Sequence, residues 1–147
     1  MKLGVDLIAV DPGAEAGVAV FYKSRLIRAE LVVDAVHRGW CWKGPYGLPV
    51  VCEVPQKYRG SAADLQDLLT LSFTAGYLVS SLQPSSLKKA FARDWKGQRP
   101  KKVDNAYTLK LLNDQERQIL EASDVPRHLQ HNVVDAIGIG LWALRRR

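Results

Sequence analysis

The sequence predicts an α/β domain built on a mixed sheet flanked by helices. Three observations carry that reading. Strand-length apolar runs come first and follow one another closely, as in a meander. A further short apolar run then stands alone before a stretch of helical periodicity, and the remainder of the chain reads as helices. Its 147 residues, 47% of them hydrophobic and 24% charged, suit one globular domain spanning residues 1–147 with a sizeable core.

Taken in order, Leu7 to Val10 reads as a buried strand that runs into the turn residues of DPGAEAG. Val18 to Tyr22 is a second strand, and the short link Lys23-Ser24 leads to a third over Leu26 to Val33. Residues His37 to Leu48 hold two tryptophans and four glycines and prolines with no sustained period, so they read as a loop. Pro49 to Val54 forms a short strand carrying Glu53. From Ser61 the apolar residues Leu65, Leu68, Leu69, Leu71 and Phe73 recur at helical spacing, with Ser61 and Asp64 placed to cap the start and Gly76 to mark the end. Tyr77 to Leu82 is either a fifth strand or a continuation of that helix. Pro84 and Ser85 then open a helix, Lys102 to Leu112 forms another, and Asn132 to Leu144 a last amphipathic one.

The formal net charge is +6, and it is concentrated. Between Pro84 and Val103 stand Lys88, Lys89, Arg93, Lys96, Arg99, Lys101 and Lys102 against the single acid Asp94, so this stretch carries the whole excess. Such a stripe suits a polyanion, because each neutralised phosphate releases counterions; a solvated loop would have the same composition. Leu3 to Val10 is interrupted by Asp6 and ends at Asp11, which excludes a secretory apolar segment or a membrane span there and makes a cytoplasmic location the expectation. Cys41 and Cys52 have neither metal-ligand spacing nor the look of a disulfide framework, and read as reduced thiols.

Three acids sit where acids are awkward. Asp11 closes an apolar strand, Glu53 ends the run PVVCE, and Asp135 interrupts the apolar stretch VVDAIGIG. Asp-Pro-Gly is also a common turn, and a glutamate often marks a strand end. Asp135 is harder to dismiss, since a carboxylate on the buried side of a helix is costly unless paired or bound to a cation. Phosphodiester hydrolysis with two divalent ions would use all three. Mg²⁺ takes a few hard carboxylate oxygens together with water and substrate phosphate, and a pair of ions can activate water and stabilise the leaving oxygen.

Six segments in order resemble the RuvC-type Holliday junction resolvases. IAVDPGAEAGVAVF is similar to that family's first hairpin and strand acid, and VVCEVPQKY to its second acid and following loop. DLQDLLTLSFTAGYL resembles the next helix, QPSSLKKAF and PKKVDNAYTLKLL the proline-and-lysine segment, and HNVVDAIGIGLWAL the helix bearing the last acids. The resemblance implies an RNase H-like fold with a mixed five-stranded sheet flanked by helices, a homodimer, Mg²⁺ or Mn²⁺ as a pair of ions, and nicking of four-way DNA junctions. The compact length resembles viral or mobile-element members.

On that resemblance Asp11, Glu53 and Asp135 are metal ligands. Where the family has an acid three residues before the last Asp, this chain has Asn132, and His131 lies four residues before Asp135 on the same helical face. Either could complete the site, or both could simply form a helix start with Asn132 as a cap. Lys102 resembles a lysine near the scissile phosphate, Lys88 and Lys89 resemble backbone contacts, and Lys57, Tyr58 and Arg59 form a candidate DNA-contacting loop. With Arg93, Lys96, Arg99 and Lys101 these make up the candidate DNA-binding set. Arg145, Arg146 and Arg147 read as a phosphate-binding tail or as a solvated helix end. Other branched DNA or RNA–DNA hybrids as substrate, a non-catalytic junction-binding protein with a weakened metal site, and an actin-like phosphate loop in the DPG hairpin remain alternatives.

Overall fold

The structure, a computed structural model, describes residues 6–56, 62 and 64–147. Strands β1 (Leu7–Asp11), β2 (Glu15–Tyr22) and β3 (Arg25–Val33) form an antiparallel meander. On the other side of β1, β4 (Pro49–Glu53) and β5 (Ser86–Ala90) run parallel to it, giving a sheet of order β3-β2-β1-β4-β5. The helices are α1 (Ala35–Arg38), α2 (Leu65–Ser81), α3 (Ala92–Trp95), α4 (Lys101–Leu111), α5 (Asp114–Ala122) and α6 (Gln130–Ala143), the last preceded by a 3₁₀ turn at Arg127–Leu129. This is the α/β, mixed five-stranded architecture the sequence predicts. Among the described residues no helix is long and apolar enough to cross a membrane.

Side-chain alternation sorts the core into two layers. Leu7, Ala9, Ala19, Phe21 and Val51 face α6, whose residues from Val133 to Leu141 are all buried. Ile8, Val10, Val18, Val20, Val50 and Cys52 face α2, where Ala75, Leu78, Val79 and Leu82 meet them. Central strands apolar on both faces are what a sheet covered on both sides requires. The same period of two places Asp11, in step with Leu7 and Ala9, and Glu53, in step with Val51, on the α6 face. Both stand at the carboxyl ends of adjacent parallel strands.

Several expectations are corrected. The helix does not stop at Gly76, and Tyr77 to Leu82 continue it rather than form a strand: α2 runs to Ser81 with Leu82 as its C-cap. Gly76 lies on the exposed side, where a glycine costs only about 1 kcal/mol, while Ala75, Leu78, Val79 and Leu82 keep one face buried. Pro84 and Ser85 open not a helix but β5, the fifth strand. It is an edge strand with only Ala90 buried, and exposed lysines suit such an edge. The stretch His37 to Leu48 begins inside a short helix, α1. The last helix starts at Gln130 with Leu129 at its N-cap, so Asn132 sits in the first turn instead of capping it. Asp64 caps α2 by accepting from the Gln66 N–H at 2.7 Å, whereas Ser61 lies outside the described residues.

Candidate active site

Asp11, Glu53 and Asp135 are brought to one place by three elements. β1 and β4 end side by side, and α6 crosses the face onto which both terminal acids point. The approach of α6 is set by Gly17, which pairs with Asp11 across β1 and β2; any Cβ there would collide with the Asn132 carbonyl. A glycine at that position lets the start of α6 lie directly on β2 at the level of Asp11.

The three carboxylates feel one another. Burial pushes Asp11 well above the usual carboxylate range, and the charges of Asp135 and Glu53 push it further. Burial likewise raises Glu53, against the lowering effects of the Trp95 hydrogen bond and Lys96, while Asp135 adds to the rise. Asp135, 7% exposed, is raised by burial despite the Asn105 hydrogen bond and the nearby Lys101 and Lys96. Between Asp11 and Glu53 in their fields, and on the opposite sheet face, the buried Cys52 thiol is pushed up to about 12, first by burial and then by those two charges. It is held as an unreactive thiol.

Each of two acids has a neutral donor attached. The Trp95 indole Nε1 donates to Glu53 Oε2 at 2.5 Å, and Asn105 Nδ2 donates to Asp135 Oδ1 at 2.7 Å, with Lys101 Nζ 3.8 Å from Asp135 Oδ2. Among the described residues no side-chain hydrogen bond reaches the Asp11 carboxylate. Among the described residues no group of three or more His, Cys, Asp or Glu side chains is gathered tightly enough to hold a metal ion as it stands. The acids therefore share a field without sharing a ligand point. Their donor chemistry still fits a divalent cation: these are hard oxygens whose mutual repulsion leaves a deficit of positive charge.

His131 and Asn132 lie in the first turn of α6, both half-buried. Asn132 Nδ2 is buried with no hydrogen-bond partner among the described residues. An unmet buried amide costs about 1–3 kcal/mol, and turning it over would present Oδ1 in its place. Trp95 and Asn105 were not expected from the sequence. Asn105 lies within PKKVDNAYTLKLL and Trp95 within the basic stretch, but nothing in local spacing marks either as a partner of an acid 30 or 42 residues away.

The basic stretch does not form one stripe. Lys88 and Lys89 alternate on β5: Lys88 pairs with Val51 and its Nζ lies 4.4 Å from the Trp142 ring on the α6 side, while Lys89 pairs with Cys52 and lines a groove of about 430 Å³ against α2. Arg93 is exposed on α3. Lys96 and Lys101 lie within the field of the carboxylates. Arg99 pairs with buried Asp104 at 3.1 Å and lies 4.7 Å from the Tyr107 ring. Lys102 is exposed on α4 and lines a shallow groove with Arg99, Tyr107 and Lys110. Lys57, Tyr58 and Arg59 lie outside the described residues. Arg146 and Arg147 are neither phosphate tail nor solvated helix end, since both turn inward. Arg146 holds Glu116 at 2.6 and 2.8 Å, and Arg147 bonds Asp104, Thr108 and the Trp95 carbonyl. Arg145 is exposed.

No model of a known family and no curated protein matches the sequence. Among solved structures the chain is similar to RuvC of Thermus thermophilus in complex with a Holliday junction substrate. Identity is 18%, the match covers 95% of this chain and 94% of that one, and the TM-score is 0.55. A second structure of Thermus thermophilus RuvC matches over the same shares at 18% identity with a TM-score of 0.47. The fold is thus that of RuvC, the RNase H-like mixed five-stranded sheet flanked by helices.

Proposed function

We propose that this chain is a divalent-metal-dependent endodeoxyribonuclease that cleaves branched DNA, four-way junctions foremost. The observation that carries this reading is the convergence of Asp11, Glu53 and Asp135 from β1, β4 and α6 into one partly buried site where their charges oppose each other. Acids raised together in a shared site point to function, because folding alone gains nothing from their repulsion. The RuvC-like fold supports the choice of substrate class.

In this reading the three carboxylates would hold Mg²⁺ or Mn²⁺, with Asn132 as the fourth group; its unpartnered buried amide favours it over His131. When bound, a pair of such ions supplies Lewis acidity at the scissile phosphate and an activated water. The chain's own residues do the rest. Lys101 and Lys96 offset the negative charge that DNA brings to the acids, and Asn105 and Trp95 fix the carboxylates that hold the ions. Lys88, Arg93 and Lys102 are exposed for backbone contacts. Self-association into a two-fold dimer, which would present two such sites to a junction, is supported by the exposed row Leu65, Leu69 and Phe73 along one side of α2.

The tie of Glu53 to Trp95 and Asp135 to Asn105, with an uncharged Asn132, equally suits a second reading: a junction-binding protein that does not cut. One experiment separates the two. Purified protein is incubated with a labelled four-way junction, a fork, a linear duplex and an RNA–DNA hybrid, with and without Mg²⁺. Junction cleavage that needs the metal and vanishes in Asp11→Asn, Glu53→Gln and Asp135→Asn, with binding retained, is the expected result. Tight junction binding with no metal-dependent cut on any substrate would leave the non-catalytic reading standing instead.

A further inference from the structure

One buried aromatic ring lies against the carboxylates and is held from behind by an arginine. Trp95 is 3% exposed, and while its indole N–H is donated to Glu53, its carbonyl accepts from Arg147 Nε at 2.9 Å. The Arg147 guanidinium carbon lies 5.3 Å from the Trp95 ring and 5.1 Å from the Tyr107 ring. That side chain is itself 2% exposed, donates to Thr108 Oγ1 at 2.5 Å, and pairs with Asp104, which also accepts from Arg99. Each of the three guanidinium nitrogens of this buried arginine has an acceptor, which fixes its plane behind the ring, although Asp104 Oδ2 has no partner among the described residues.

The helix that bears Asp135 is cut away to admit this support. Gly138 follows Asp135 by three residues and shares its side of α6. A Cβ on Gly138 would come within 2.9 Å of Trp95 Cζ3, 3.0 Å of Thr108 Oγ1 and 3.1 Å of Arg147 Nη1. Gly138 in VVDAIGIG thus makes room for the ring itself and for the Arg147–Thr108 pair behind it.

We propose that Trp95 is a positioning residue for Glu53, seated by Arg147 and by the space left at Gly138. A glutamate has three rotatable bonds to fix before it can serve as a ligand, and the indole N–H fixes one oxygen, Oε2, leaving Oε1 without that partner. The role rests on the nuclease reading, but the relay from Arg147 through Trp95 to Glu53 exists independently of catalysis and is tested separately.

The test uses ¹⁵N-labelled full chain and Mn²⁺ as probe. The indole N–H resonance of Trp95, assigned by its loss in Trp95→Phe, moves in Glu53→Gln and in Arg147→Lys but stays in place in Arg146→Lys, whose arginine serves Glu116 instead. In parallel, Trp95→Phe, which keeps the ring and removes the donor, weakens Mn²⁺ binding followed by electron paramagnetic resonance by about tenfold or more, the usual cost of removing a partner that orients a ligand. Arg147→Lys weakens it in the same direction, and Arg146→Lys leaves it unchanged even where it lowers thermal stability. A resonance indifferent to both Glu53→Gln and Arg147→Lys would overturn the relay. Wild-type Mn²⁺ affinity in Trp95→Phe would overturn the positioning role. A wild-type chain that binds no Mn²⁺ sinks the nuclease reading, and the positioning role with it, while the resonance still decides the relay.

Discussion

Glu116 and Asp11 are both carboxylates set on the α6 side of the sheet, yet Glu116 accepts four hydrogen bonds and Asp11 accepts none among the described residues. Burial acts to raise Glu116, but the two-pronged Arg146 contact and the backbone N–H groups of Leu26 and Asn113 outweigh it and hold that acid below its ordinary range. Around Asp11 the nearest charges of consequence include two more acids, and its range is raised. The chain thus supplies a buried acid with a full set of donors where the acid serves the fold. Where three acids meet, it leaves the compensation incomplete, and that deficit is what a cation-bearing ligand would fill.

The largest way to test this contrast is to break the compensated site. Glu116→Ala leaves the partly buried Arg146 with only the Ser24 and Leu111 carbonyls as acceptors, and such a break costs about 3 kcal/mol, a fall in melting temperature on the order of 10 °C. Any junction cleavage, expressed per folded molecule, should stay at the wild-type level on the proposed reading, because Glu116 takes no part in the carboxylate site. The double change Glu116→Leu with Arg146→Met recovers only part of the loss, since an apolar pair can match a buried ion pair but leaves the Leu26 and Asn113 N–H groups without their acceptor. If Glu116→Ala melts like wild type, the compensation described for it is not worth what its geometry suggests.

A smaller effect of opposite sign is expected at the uncompensated site. Asp11→Asn removes a charge that the fold opposes, so without metal it stabilises the protein by about 1 kcal/mol, or a few degrees. The pH dependence follows from the sign of the shifts. Asp11, Glu53 and Asp135 bind protons more tightly folded than unfolded, so the stability they contribute is fully present below the ordinary carboxylate range. That stability is lost as pH rises through their raised folded values. Melting curves of the metal-free wild type should therefore drop over that window relative to Asp11→Asn. Saturating Mg²⁺ should close or reverse the gap, because a ligand that binds only the native state stabilises it by mass action. A gap that ignores both pH and Mg²⁺ would mean that Asp11 is not the strained member of the cluster.

How much of this the sequence discloses depends on the range of the interaction. β1 to β4 and α6 are legible through their buried apolar residues, and Asp11, Glu53 and Asp135 stand out as polar breaks in those runs. β5 is not legible: SLKKA at a sheet edge buries one residue and so has no pattern to show. Tyr77 to Leu82 mislead because Gly76 resembles a helix stop, while the buried face of α2 runs past it. α5 does carry a local signal, since Asn113 and Glu116 form a capping box at its usual spacing. Trp95, Asn105, Arg146 and Arg147 act through partners 30 or more residues away, and only tertiary structure discloses them.

The smallest expected effect separates two adjacent lysines, and it asks whether the uncompensated acids have basic help on their own face. Lys88 and Lys89 look equivalent in sequence, but β5 points them to opposite sides. Lys88 shares the α6 side with Asp11 and Glu53 and rests by Trp142, whereas Lys89 lines the groove against α2. On the proposed reading, DNA whose scissile phosphate reaches the carboxylates would pass over the first side. Lys88→Ala should therefore lower the slope of log affinity against log salt by about 0.9, the value for one phosphate contact, and Lys89→Ala should leave it unchanged. The loss at fixed salt is modest and independent of DNA sequence, since a backbone contact positions the duplex without reading it. Equal slopes for the two variants would show that both faces of β5 meet DNA, or that neither does, and the carboxylate face would lose its claim to be the one that carries the substrate.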